Sequence, residues 1–150
     1  MPLEYSPESD TKALVPDNID VRATAAITTI PFAIQLASMT TAAADLLTNY
    51  TPGYRFKLLS LAFHVTTLGT GASASQVINL EIGSTNVTGG VLTLLLADTT
   101  PLGKVTQATA ITALNEGSAT DTISIEVASG GTVFTAGAGE LLLEIQNLEG

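Results

Sequence analysis

The 150-residue chain contains no cysteine, no tryptophan and a single histidine, His64. Without thiols it can form no disulfide, no thiolate metal site and no cysteine nucleophile. One histidine means that any Ser-His-Asp device must rest on His64 alone. Charge is also scarce. Charged residues make up 13% of the chain, about half the usual share. Basic residues are the scarcest: five Lys and Arg face fourteen Asp and Glu, a net charge of −9. That balance repels phosphate backbones, so nucleic acid is not an expected partner. Long apolar runs are missing too. The most aliphatic patch, Val91–Ala97, is far shorter than a membrane span. The start, Met1-Pro-Leu-Glu-Tyr-Ser-Pro-Glu-Ser-Asp, has neither the basic nor the apolar region of a signal peptide. No membrane association is expected.

What remains is rich in Thr, Ala, Gly and aliphatic residues, and its periodicity is that of strands. Ile123, Ile125 and Val127 alternate with Thr122, Ser124 and Glu126, the two-residue period of a half-buried strand. Ile78, Leu80 and Ile82 alternate with Asn79 and Glu81 in Gln76–Ile82. The longest candidate is Tyr54–Thr67, where Leu59, Leu61, Phe63 and Val65 share the inward parity. Further strands are expected at Val21–Ile30 and Phe32–Met39, broken at Pro31, at Val105–Ala113 and over Glu140–Asn147. The Ala/Leu-rich stretch Thr40–Asn49 suggests one or two helical turns with Thr41 as N-cap. Val91–Ala97 reads equally as a buried strand or a short helix. Eight to ten short strands with Gly-rich turns point to an all-β antiparallel sandwich of the jelly-roll kind, with a closed barrel as the alternative.

Residues 1–20 stand apart. They hold Pro2, Pro7 and Pro16 and the acids Glu4, Glu8, Asp10, Asp17 and Asp20, which support neither helix nor strand. The expected division is an extended N-terminal arm over 1–20 and a sandwich domain over 21–150. Fully extended, such an arm reaches about 65 Å. Leu3, Tyr5, Leu14 and Val15 are its candidate apolar contacts with a partner.

Candidate chemistry is sparse. His64 lies between Phe63 and Val65, on the parity of Leu58, Ser60 and Ala62, and reads as a strand or contact histidine. Glu81, Glu126, Glu140 and Glu144 are carboxylates of the type used in glycoside hydrolysis, but their strand positions read as a solvated face. Asp45, Asp98 and Asp121 are oxygen donors without the alternating spacing of a calcium loop. Asp98 and Asp121 fit Asx-type turns at strand ends. Gly69-Thr-Gly-Ala-Ser-Ala lacks the third glycine of a dinucleotide fingerprint and precedes a strand, so it reads as a hairpin loop. Asn49-Tyr-Thr and Asn86-Val-Thr match the glycosylation sequon, a chance match in so Thr-rich a chain. Tyr50 and Tyr54 flank a Pro-Gly turn and offer a small candidate platform for a sugar. No catalytic residue, cofactor or metal is expected, and the chain does not read as an enzyme.

The phrases Pro101-Leu-Gly-Lys, Ala108-Thr-Ala-Ile-Thr-Ala-Leu-Asn, Asp121-Thr-Ile-Ser-Ile-Glu-Val, Thr132-Val-Phe-Thr-Ala-Gly-Ala-Gly and Leu143-Glu-Ile-Gln-Asn resemble small β-rich virion proteins of tailed bacteriophages. Those are decoration (cement) proteins and head-fibre proteins of the capsid exterior. The likeness covers roughly residues 54–148 and contains no catalytic signature. It implies a virion protein on the capsid exterior, often trimeric, whose partner is the major capsid protein. It also implies a role in cementing the shell across subunit junctions. Tail and baseplate proteins share similar phrases, so a receptor- or carbohydrate-binding module of a tail or fibre is the alternative.

Overall fold

The computed structural model describes residues 26–40, 43–128 and 130–149. The arm over 1–20, its contacts Leu3, Tyr5, Leu14 and Val15, the first part of Val21–Ile30 and the N-cap Thr41 lie outside the described residues.

Ten strands and almost no helix make up the described chain. In order they are β1 (Ile27–Gln35), a 3-10 turn (Leu36–Ser38), β2 (Ala44–Tyr50), β3 (Phe56–Thr70), β4 (Ser75–Ile82), β5 (Thr85–Asn86) and β6 (Leu92–Leu95). A single helical turn, α1 (Leu96–Thr99), follows, then β7 (Val105–Gln107), β8 (Glu116–Gly117), β9 (Ile123–Val127) and β10 (Ala136–Asn147). One sheet runs β1-β10-β3-β7, with β8 also on β3; the other runs β2-β9-β4-β5, with β6 also on β4. All pairs are antiparallel. β5 and β6 both pair with β4, and β7 and β8 both pair with β3, so each couple acts as one interrupted strand. The chain is then an eight-strand ribbon in which first pairs with last, second with seventh, third with sixth and fourth with fifth. Rolled into two sheets, that ribbon is a jelly roll.

Between the sheets lies one apolar core. Phe56, Leu58, Phe63, Ile78, Leu92, Leu94, Ile123, Ile125, Leu141, Leu143 and Ile145 are fully buried in it. The two sides of the sandwich close differently. Beside β6 and β7, the segment after β7 is stitched to the opposite sheet by backbone hydrogen bonds. Thr109 N–H donates to Val91 O at 2.9 Å, Gly90 N–H to Thr109 O at 3.0 Å and Thr112 N–H to Thr88 O at 2.8 Å. Gly89 permits this approach: its φ is +86°, and a Cβ there would run into the Ala110 carbonyl. On the other side the edge strands β1 and β2 meet through side chains, with Phe32 edge-on to Tyr50 at 5.7 Å.

Several local expectations need correction. The expected strand Val105–Ala113 stops at Gln107, because from Thr109 the chain leaves β3 and hydrogen-bonds to the opposite sheet. Pro31 does not break a strand: β1 passes through it, because β1 is an edge strand where a missing N–H costs no ladder bond. The expected strand Phe32–Met39 instead ends at Gln35, and the 3-10 turn carries Leu36 and Met39 into the core. Thr40–Asn49 is not helical; from Ala44 it forms β2, paired with β9, since tertiary pairing overrides the propensity of Ala and Leu. The inward parity of β3 changes part-way. Leu58 faces Ile145 and Ser60 faces Glu144, so Leu59 is an extra, bulged residue. Leu61, Phe63 and Val65 point inward, as expected, whereas Leu59 is only half-buried and Phe56 and Leu58 take the core positions before it. His64 therefore shares a face with Ser60 and Ala62, but not with Leu58. Val91–Ala97 resolves both ways, as β6 followed by α1.

Candidate functional site

The titratable side chains divide among three places: the outer faces of the two sheets and the chain reversals. On the outer face of the β1-β10-β3-β7 sheet, register places residues in rows. Val105, His64, Glu140 and Ala33 form one row. Gln107, Ala62, Leu142 and Pro31 form the next. Ser60, Glu144 and Thr29 form the third. His64 Nδ1 lies 3.7 Å from Glu140 Oε2, and Ser60 Oγ donates to Glu144 Oε2 at 2.7 Å. His64, Glu140 and Glu144, singled out separately in the sequence, thus come together on adjacent strands.

The outer face of the other sheet is acidic. Asp45 on β2 is opposite Glu126 on β9, and Glu126 is opposite Asn79 on β4. Glu81 is two residues further along β4. Partial burial raises the Glu81 carboxyl above its ordinary range, and the charges of Glu126 and Asp45 raise it further. Among the described residues no base on this face offsets these three. Among the described residues no three His, Asp or Glu side chains converge as metal ligands.

At the reversals, carboxylates work as caps. Asp98 Oδ2 accepts from the Leu95 N–H at 3.1 Å, and its Oδ1 takes the Lys104 ammonium at 2.8 Å. The Lys104 hydrogen bond is the main reason that the Asp98 carboxyl is held below its ordinary range. Asp98 therefore caps α1 rather than an Asx turn at a strand end. Asp121 closes the loop after β8, accepting from the Ser118 N–H at 2.7 Å. Glu116 of β8 lies instead on the outer face of the first sheet, in a fourth row with Lys57, Gln146 and Ile27; it pairs with Lys57 at 2.9 Å, and that bond lowers its carboxyl. Gly69-Thr-Gly-Ala-Ser-Ala forms the end of β3 and the tight reversal into β4, as expected.

Tyr50 and Tyr54 come near one another at the β2–β3 reversal. Both are half-buried against the core. Burial, and then the charge of Tyr50, raises the Tyr54 phenol. Asn49 and Asn86 are exposed, and Asn49 has a φ of +54°.

Sequence reasoning passed over Gln76. It shares the inward parity of Ile78 and Leu80 and is fully buried. Its Nε2 donates to the Met39 carbonyl at 3.2 Å, tying the crossover after β1 to β4. Its Oε1 has no partner among the described residues. The signal was a polar residue at a core parity.

A scan against protein-family models finds no match, and neither the curated proteins nor the solved structures contain one.

Proposed function

We propose that this chain is a structural virion protein that binds the exterior of a tailed-phage capsid and stabilises the shell across junctions between major capsid subunits. The observation that most supports this reading is the place where the sandwich is joined to its N-terminal segment. Ala26 leads into β1 beside the end of β10, where Asn147 N–H donates to Ala26 O at 2.9 Å. A compact, stitched body is thus attached at one end to a segment that carries Leu3, Tyr5, Leu14 and Val15. Anchoring apolar side chains on a shell gains about 25 cal/mol per Å² buried, net of the cost of association. Repetition over many sites makes a small gain per copy count. The jelly roll itself says nothing of function. The phage-like phrases supply the partner class.

The alternative, a tail or fibre module for receptors or sugars, rests on Tyr50 and Tyr54, whose half-buried rings leave it a small surface. The test is deletion of residues 1–20. The truncated protein should unfold at the same temperature as the full chain yet fail to decorate capsids that lack it. Normal occupancy by the truncated protein would sink the proposal for the arm.

A further inference from the structure

We propose that the edge strand β2 is a strap that opens on the unstitched side of the sandwich, driven by repulsion among Asp45, Glu126 and Glu81: shut when these carboxylates are protonated, loosened when they are charged. The proposal does not depend on the virion reading. It begins with how β2 is held. β2 pairs with β9 alone, and the pairing is interrupted. Register partners fall on Ala44, Asp45, Leu47 and Tyr50, with shifts on either side of Leu47. Leu46 is thus an extra residue, and Asn49 sits at a left-handed φ of +54°. Leu46, Leu47 and Tyr50 are only half-buried, whereas Ile123, Ile125 and Val127 of β9 are fully buried. Towards the other sheet, β2 has the ring contact of Tyr50 with Phe32; the opposite side of the sandwich has the backbone bonds of Thr109, Gly90 and Thr112. An edge element with an interrupted ladder and half-buried side chains is the one that opens first.

Charge supplies the force. Asp45 of β2 stands directly opposite Glu126 of β9, and like charges directly opposite one another destabilise a strand pair. Glu126 is in turn opposite Asn79 of β4, so Glu81 is its diagonal neighbour on the same face. The other outward residues packed around these three are uncharged: Ser124 on β9, Val77 on β4, Asn86 on β5 and Thr93 on β6. Asp121, just before β9, is turned into its own loop by the Ser118 N–H. Leu36–Thr40, ahead of the strap, carries no charge.

The sign of the pH dependence follows. Partial burial raises the Glu81 carboxyl, and the charges of Glu126 and Asp45 raise it further. The contribution of Asp45 vanishes when β2 leaves. Protonation therefore favours the shut strap. Its gain is complete below the ordinary carboxylate range and is lost as pH rises through the raised value. Opening frees one edge of β9 and uncovers the side of the core that Leu47 and Tyr50 close. The flanks stay anchored: Gln76 Nε2 holds the Met39 carbonyl ahead of the strap, and Phe56 is fully buried behind it.

The test is amide hydrogen exchange of the full chain, each rate divided by the intrinsic rate at the same pH. Between about pH 4 and about pH 7 at low salt, protection of the β2 amides relative to those of β10 should fall on the order of fivefold. Salt at about 0.5 M should recover most of that protection. Glu126→Gln removes the central charge and should abolish the fall. Asp45→Asn, at an exposed position, should abolish most of it without touching the core, which keeps the test open if Glu126→Gln disturbs β9. Glu144→Gln, on the other sheet, should leave the fall as it is. A β2 that exchanges in step with β10 at every pH overturns the proposal. So does a fall that persists in both Glu126→Gln and Asp45→Asn, or one that disappears in Glu144→Gln.

Discussion

A methyl group added at Gly139 would run into both the Phe63 ring and the backbone carbonyl of His64. Gly139 lies inward on β10 between Ile34 and Val65 of the adjoining strands, and the missing side chain is what lets Phe63 lie flat in the core. Gly139→Ala should therefore lower stability by about 1–3 kcal/mol, the usual cost of overpacking. A shift of the urea midpoint at unchanged slope would show it; an unaltered midpoint would mean that the ring and the β3 backbone both give way freely. At Asp98 the relevant variable is pH. Its carboxyl is held low in the folded chain by Lys104 and the Leu95 N–H. Its contribution to stability is thus present above the unfolded carboxylate value and is lost as pH falls through the lowered folded value. Asp98→Asn should be less stable at neutral pH by roughly 1 kcal/mol or less, because the pair is partly exposed. That deficit should shrink on acidification, which thermal melts across the acid range would reveal. A deficit independent of pH would assign the loss to the cap alone.

At the scale of an element, the bulge at Leu59 matters most. It lets one strand bury Phe56 and Leu58 before it and Leu61, Phe63 and Val65 after it, although these sets have opposite parity. Deleting Leu59 should leave one unbroken alternation with both sets still inward, whereas one more residue inserted after it should put Arg55 and Lys57 on the core face and expel Phe56 and Leu58. For the insertion, the expected outcome is loss of cooperative unfolding by calorimetry; a sharp native-like transition of the insertion variant would count against it. The same bulge explains where sequence reading failed. Alternation identified the second half of β3, all of β9 and most of β4, because each of those runs keeps one parity. The parity switch at Leu59 has no local sign, since both Leu59 and Leu58 are apolar. Pro31 reads as a break in the sequence because its tolerance depends on edge position, which only the sheet order supplies. β2 looked helical because its Ala and Leu content is a weak local preference that pairing with β9 overrode. At the site, His64 and the glutamates were visible as types. Their meeting in rows depends on the register of β3 against β10, more than seventy residues apart in the chain. Gln76 was legible in principle, as a polar residue on a core parity.

For the whole molecule, the two sheets and their antiparallel sense follow from strand count and turn spacing. The order of strands does not, because it is set by contacts between remote segments. The stitched side, the side closed by Phe32 and Tyr50, and the unequal charge of the two outer faces all arise from that order. The order also governs when the molecule can form. β10 lies between β1 and β3 and is the central strand that joins them, yet it leaves the ribosome after every other described strand. Until then β1 and β3 have no shared partner, and the core residues that Leu141, Leu143 and Ile145 cover stay wet. The nascent chain therefore cannot complete its core as it emerges. Folding must await the synthesis of β10, and a cell making this protein in quantity must shelter a chain whose first nine described strands are already out and still open.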